Sequence, residues 1–131
     1  AIGLMMLDLL PLLTFKPFVP ESDTTAMVDE ILNYCQEHYQ EPLSLQILAE
    51  TFHLSRGYIS QLFNRKINMS FSYFVNVLRV HKASALIKNS DIKIVDIAEA
   101  VGYGSLRSFN RAFMEITNST PTEYRKIYQK K

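Results

Sequence analysis

A chain of 131 residues, 47% hydrophobic and 21% charged, carries enough apolar material for one ordinary folded domain with an attached segment, and too much for a disordered one. The lone cysteine, Cys35, excludes an internal disulfide framework and a four-cysteine zinc site, and fits a reducing, cytoplasmic compartment. The net charge of +1 conceals a segregated pattern, because no acidic residue lies between Glu50 and Asp91. That stretch holds Arg56, Arg65, Lys66, Arg79, Lys82 and Lys88, and a second acid-free window from Ala100 to Met114 holds Arg107 and Arg111. A charge run is commonly just a solvated face. Forty positions without a carboxylate are instead the electrostatic footprint of a polyanion partner, since surface helices ordinarily mix both signs.

Taken in chain order, Ala1 to Phe15 is strongly apolar but is interrupted by Asp8 and Pro11 and falls short of a membrane span. It has no basic flank and no small-residue cleavage site, which argues against a signal peptide. The stretch reads as the last helix of a missing upstream domain, followed by a linker through Pro17, Pro20 and Ser22, so that residues 1–25 form a remnant plus linker. Beyond it Met27, Val28, Ile31, Leu32 and Cys35 recur at three- and four-residue steps and predict a helix ending before Pro42. Ser44 is placed to cap a short helix with Leu45, Leu48, Ala49 and Phe52, and Ser55 to cap another with Ile59, Leu62, Phe63 and Ile67. A longer helix from about Phe71 to about Lys88 follows, about 27 Å long, with Phe74, Val75, Leu78, Ala85 and Leu86 on its buried side.

A self-comparison shows an internal repeat. A shift of 49 positions places Leu48-Ala49-Glu50 on Ile97-Ala98-Glu99 and Phe52 on Val101; a shift of 50 places Ile59 on Phe109, Phe63 on Phe113, Ser70 on Thr120 and Phe74 on Tyr124. The change of offset falls in a turn, where an extra residue costs least. The competing explanation is chance alignment of apolar positions in a helical protein. Two helix-turn-helix units explain more. Ala49 and Ala98 supply the small residue that close helix packing needs, and Phe52, Leu54, Val101 and Tyr103 supply the apolar flanks of the turns. Gly102 suits a positive φ in the second turn, where the first has His53, a less comfortable residue in that conformation. Thr120-Pro121-Thr122-Glu123 is a capping box with proline in the first helical position, and it predicts a final helix with Tyr124 and Ile127 turned inward.

The run IVDIAEAVGYGSLRSFNRAFMEITNSTPTEYRK resembles the signature end of the AraC/XylS family of transcription regulators, and the resemblance extends upstream to about residue 26. It implies an all-α fold of about seven helices: a first unit over about 26–70, a linker helix over about 71–89 and a second unit over about 90–131. It further implies sequence-specific binding of double-stranded DNA in transcription regulation, with the two recognition helices in successive major-groove segments about 34 Å apart. An effector or dimerisation domain upstream of this chain is implied too, and RNA polymerase as a partner if the protein is an activator. Two departures stand out: His53 replaces the expected turn glycine, and Gly57 occupies a position that usually carries a base-contacting side chain.

Helical spacing picks out the groove-facing side chains, since positions i, i+3, i+4 and i+7 share a face. The outward stripe is Gly57, Ser60, Gln61 and Asn64 in the first recognition helix, and Arg107, Asn110, Arg111 and Met114 in the second. Gln and Asn can bond adenine bidentately and Arg guanine, each pair worth roughly 1–3 kcal/mol of discrimination. Ser60, Gln61, Asn64, Leu106, Arg107, Asn110 and Arg111 are therefore the candidate base readers, Leu106 through apolar contact with a thymine methyl. Arg111 has an alternative, an internal pair with Glu99 or Glu115. Arg56, Arg65, Lys66, Arg79 and Lys82 are the candidate phosphate contacts.

Catalysis finds little support. His38, His53 and His81 are scattered, no Gly-rich phosphate loop occurs, and no cofactor is indicated. Cys35 and His38 could share a metal across one helical turn, but a cysteine on an apolar stripe is far more often packed core. The aromatic residues fall at core spacing rather than on an exposed stacking platform for single strands. A helical protein-interaction module is the rival reading, and a modification enzyme with an appended DNA-binding domain is a second.

Overall fold

A computed structural model describes residues 19–129, which are helical with no strand among them. Seven α-helices occur in order: α1 (Val19–His38), α2 (Leu45–Phe52), α3 (Arg56–Leu62), α4 (Phe71–Asn89), α5 (Ile94–Ala100), α6 (Leu106–Thr117) and α7 (Pro121–Tyr128). The apolar segment Ala1 to Phe15 and Pro17 lie outside the described residues. Pro20 and Ser22, read from the sequence as linker, are helical instead. Proline is tolerated there because the first helical turn leaves its N–H groups without intrahelical partners. The described residues divide into two units between Asn33 and Tyr34, and the two turns lie within the second.

Local chemistry sets the helix starts. Ser44, Ser55, Ser70, Ser105 and Thr120 sit in extended backbone, and each side-chain oxygen accepts from the backbone N–H three residues on. The capping box at Thr120 is complete: Thr120 Oγ1 accepts from Glu123 N, and Thr120 N donates to Glu123 Oε1, both at 3.1 Å. Helix ends are equally local. Asn68 (φ 64°) and Asn118 (φ 61°) close the two recognition helices in the left-handed conformation that asparagine tolerates. The two helices differ on the way to those ends: α3 runs on into a π-helical turn, Phe63–Ile67, whereas α6 stays α-helical throughout.

Two apolar clusters flank α4. Against its N-terminal half, Phe63 packs on Phe71 and Phe74 at ring separations of 5.4 Å. Its C-terminal half contributes Val80, Ala83 and Ile87 to a core shared with Ile97, Ala98, Val101, Phe109, Ala112 and Phe113. Val75 and Val80 point about 140° apart round the helix, so burial moves from one side to the other along its length. That rotation corrects the single stripe expected from the sequence: Ala85 is exposed, and Phe74, Leu78 and Leu86 are half-buried.

The final helix departs from expectation at one residue. Tyr124 packs edge-on against Phe113 at 5.3 Å, as expected of an inward residue, but Ile127 is 65% exposed. The inward side of α7 is defined by buried Pro121 together with Tyr124, Arg125 and Gln129, and Ile127 lies off it. Arg125 and Gln129 donate to the carbonyls of Ile87 and Ser90, which end α4. A helix leaves its last carbonyls unpaired, and here a distant helix satisfies them.

Candidate nucleic-acid interface

The two recognition helices are built alike. Ser55 caps α3 and Ser105 caps α6, each accepting at 3.1 Å from the N–H three residues on. Counting from the cap, both bury the fourth, seventh and eighth positions: Ile59 and Leu62 in α3 with Phe63 at the start of its π-helical turn, and Phe109, Ala112 and Phe113 in α6. What remains faces outward. Gly57 and Gln61 are exposed on α3 with Ser60 half-buried, Asn64 is exposed on the π-helical turn that continues it, and Leu106, Arg107, Asn110, Arg111 and Met114 are exposed on α6. The side chains of Gln61, Asn64, Arg107, Asn110 and Arg111 make no hydrogen bond or ion pair with any described residue. Arg111 therefore does not take the internal pairing with Glu99 or Glu115 that its sequence context allowed. Five side chains with strong hydrogen-bonding groups thus stand outward from two similarly buried helices.

The turns that set these helices differ. His53 adopts φ 59° in the first, a conformation that costs an L-residue roughly 1–2 kcal/mol. Gly102 adopts φ 110° in the second, and a Cβ there would lie 3.0 Å from Arg79 Nε and from Gln40 Cα and O. Glycine is required twice over, by the backbone angle and by the close approach of the segment that follows α1.

Arg79 is the clearest revision of the sequence reading. Expected among the phosphate contacts, it instead donates from Nε to Tyr39 O at 2.7 Å and from Nη2 to Glu41 O at 2.9 Å. Its guanidinium carbon also lies 5.2 Å from the centre of the Tyr103 ring. Tyr103 in turn donates its hydroxyl to Asn76 Oδ1. Burial lowers the Arg79 pKa from its ordinary value, with Tyr103 opposing the shift. Burial likewise pushes Tyr103 up to about 12, Arg79 pulling it back and Glu115 adding to the rise. Arg79 thus binds the 39–41 segment to the bridging helix beside the second turn. No local pattern announced this, because its partners lie 40 and 38 positions away. Arg56, Arg65, Lys66 and Lys82 are exposed, as phosphate contacts must be, and the Lys82 ammonium lies 5.9 Å from the centre of the Tyr39 ring.

Cys35 is fully buried, and burial raises its thiol to about 12. The His38 ring stacks on Tyr34 at 4.2 Å, and its Nδ1 lies 3.1 Å from Glu41 Oε1 without the alignment of a hydrogen bond. No group of three or more His, Cys, Asp or Glu side chains suited to a metal occurs among the described residues. We expect the Cys35 thiol to resist alkylation in the folded protein and to react once denatured. The raised pKa means that any stability it confers is intact below about pH 9 and is lost as pH climbs towards 12. Rapid labelling of native protein at pH 8 would contradict the buried placement.

A family model described as a helix-turn-helix domain matches residues 48–127. The chain is 32% identical over 107 residues to an uncharacterized HTH-type transcriptional regulator, YijO, of Escherichia coli, covering 82% of this chain and 38% of that protein. Among solved structures it is similar to the C-terminal domain of AraT, a response regulator from Geobacillus stearothermophilus (29% identity, TM-score 0.73, 76% of this chain and 83% of that one). It is also similar to a transcriptional regulator from Chromobacterium violaceum described among AraC-type DNA-binding domain-containing proteins (26% identity, TM-score 0.72, 80% of this chain and 94% of that one). The chain spans well under half the length of the curated relatives it matches, 38% and 39% for the first two and 13% for the third.

Proposed function

Because the chain belongs to the AraC-type helix-turn-helix family of DNA-binding transcription regulators, we propose that residues 26–131 read a double-stranded DNA site with α3 and α6 in successive major-groove segments. The observation that carries this reading is the pair of like-capped, like-buried helices whose outward polar side chains lack partners among the described residues. Ser60, Gln61, Asn64, Leu106, Arg107, Asn110 and Arg111 contact bases, while Arg56, Arg65, Lys66 and Lys82 neutralise phosphates. The acid-free stretch between Glu50 and Asp91 keeps carboxylates away from the phosphate backbone. On this reading the chain is not an enzyme and acts in the cytoplasm. An effector or dimerisation domain upstream, and RNA polymerase where it activates, complete its partners. No helix among the described residues is long and apolar enough to cross a membrane.

Selection from a random duplex pool at two salt concentrations tests the proposal. Enrichment of two half-sites about one helical turn apart is the expected result. Arg107→Ala is expected to relax preference at one base pair by roughly 1–3 kcal/mol. Arg65→Ala is expected to weaken all sequences alike and to lower the salt slope by about one. Equal effects of both substitutions on every sequence would remove the division into base and phosphate contacts. Failure to bind at low salt would favour a protein-interaction surface instead.

A further inference from the structure

The two recognition helices share one frame but not one chemistry. Their equivalence is fixed at three places: the caps Ser55 and Ser105, the buried triplets, and the left-handed ends Asn68 and Asn118, each pair 50 positions apart. In that frame Gly57 stands where Arg107 stands, Ser60 where Asn110 stands, Gln61 where Arg111 stands, and Asn64 where Met114 stands. Both guanidiniums on the stripes therefore belong to the second unit. The stripe of the first presents two amides, a hydroxyl and a bare backbone, with Arg56 just before it at the position that Leu106 holds in the second.

Gly57 has no structural duty. Its backbone angle lies outside the left-handed range, and a Cβ built on it would meet nothing within 4 Å. A Cβ at this position would leave into open space, so the missing side chain bears on what the helix contacts rather than on how it folds. Guanidinium forks bond guanine O6 and N7, whereas amides bond adenine N6 and N7.

From this division of donors we infer which bases each half-site carries. The half-site under α6 carries guanines, read by Arg107 and Arg111. The half-site under α3 carries adenine, read by Gln61 and Asn64, and leaves the base pair opposite Gly57 unread. Gly57 and Arg107 thus set the difference in specificity between two otherwise equivalent units. The inference rests on the proposed DNA-binding function and names the class of site bound.

The test is selection from a random duplex pool by the wild-type chain, Gly57→Arg, Gly57→Gln and Arg107→Gly, with melting followed by circular dichroism. The wild type is expected to enrich a guanine-bearing half-site and an adenine-bearing one with a single position of no preference. Gly57→Arg should melt close to wild type and create a guanine preference at that position, by roughly fivefold to a hundredfold. Gly57→Gln should create an adenine preference there, and keeps the test open if the arginine variant folds poorly. Arg107→Gly should erase one guanine preference in the other half-site. Two equally sharp, like half-sites for the wild type would overturn this assignment while leaving DNA binding intact. So would the absence of any new preference in both Gly57 variants. A wild-type chain that enriches no sequence would overturn the functional reading itself, and this inference with it.

Discussion

Gly102→Ala is expected to destabilise the helix-turn-helix body by about 3 kcal/mol, which corresponds to a fall of roughly 15 °C in melting temperature for a domain of this size. The backbone at this position has φ 110°, outside the range in which an L-residue is comfortable. Relief by rotation is blocked, because the added methyl would lie 3.0 Å from Gln40 Cα and O, which are backbone atoms, and 3.0 Å from Arg79 Nε. Moving Nε aside would weaken its hydrogen bond to Tyr39 O. The same position in the first turn supplies the control. His53 already occupies the left-handed region, so His53→Gly should change stability by less than about 1 kcal/mol. Thermal and urea denaturation of both variants would check this. A Gly102→Ala protein within about 1 kcal/mol of wild type would show that the turn can relax and that the close approach of Gln40 is not a constraint.

Arg79→Ala is expected to cost about 2–3 kcal/mol, from two charge-assisted hydrogen bonds and the carbonyls they leave behind. The carbonyls are those of Tyr39 and Glu41, and the lost cation also leaves the Tyr103 ring. Arg79→Lys should recover at most about half of this, because an ammonium cannot reproduce the planar fork that reaches both carbonyls. The salt dependence of DNA binding separates the two roles considered for this residue. As a staple, Arg79 leaves the salt slope of the folded variant unchanged; as a phosphate contact, it would lower the slope by about one when removed. A stable Arg79→Ala protein with a reduced slope would restore the phosphate role that the acid-free stretch suggests.

Much of the candidate interface is legible in the sequence. The stripes on α3 and α6 follow from helical period alone, because what is buried on a seven- or twelve-residue helix leaves one opposite face. The caps are legible at Ser44, Ser55 and Thr120 for a related reason: each bond joins residues three apart. The bonds of Arg79 to Tyr39 and Glu41 were not legible, because a basic residue in an acid-free stretch looks the same whether it faces phosphate or a protein carbonyl. The buried side of α4 was misjudged because one amphipathic stripe presumes one core, and this helix serves two. Ile127 was misjudged because the inward side of α7 was drawn through apolar residues, whereas polar Arg125 and Gln129 occupy it to bond the end of α4.

Sequence alone determined the helical class, the order of the elements, the caps at Ser44, Ser55 and Thr120, the repeat at offsets of 49 and 50 positions and the outward stripes of the two recognition helices. All of these depend on interactions within about one helical turn, or on a periodicity that survives whatever packs against it. The tertiary structure alone decided that Gly102 is wedged against Gln40, that Arg79 binds the 39–41 segment, and that Arg125 and Gln129 close α4. Each of these joins groups 35 to 62 positions apart, and such pairs meet only after the helices have packed, when an unpaired backbone carbonyl must find whichever donor the fold brings within reach.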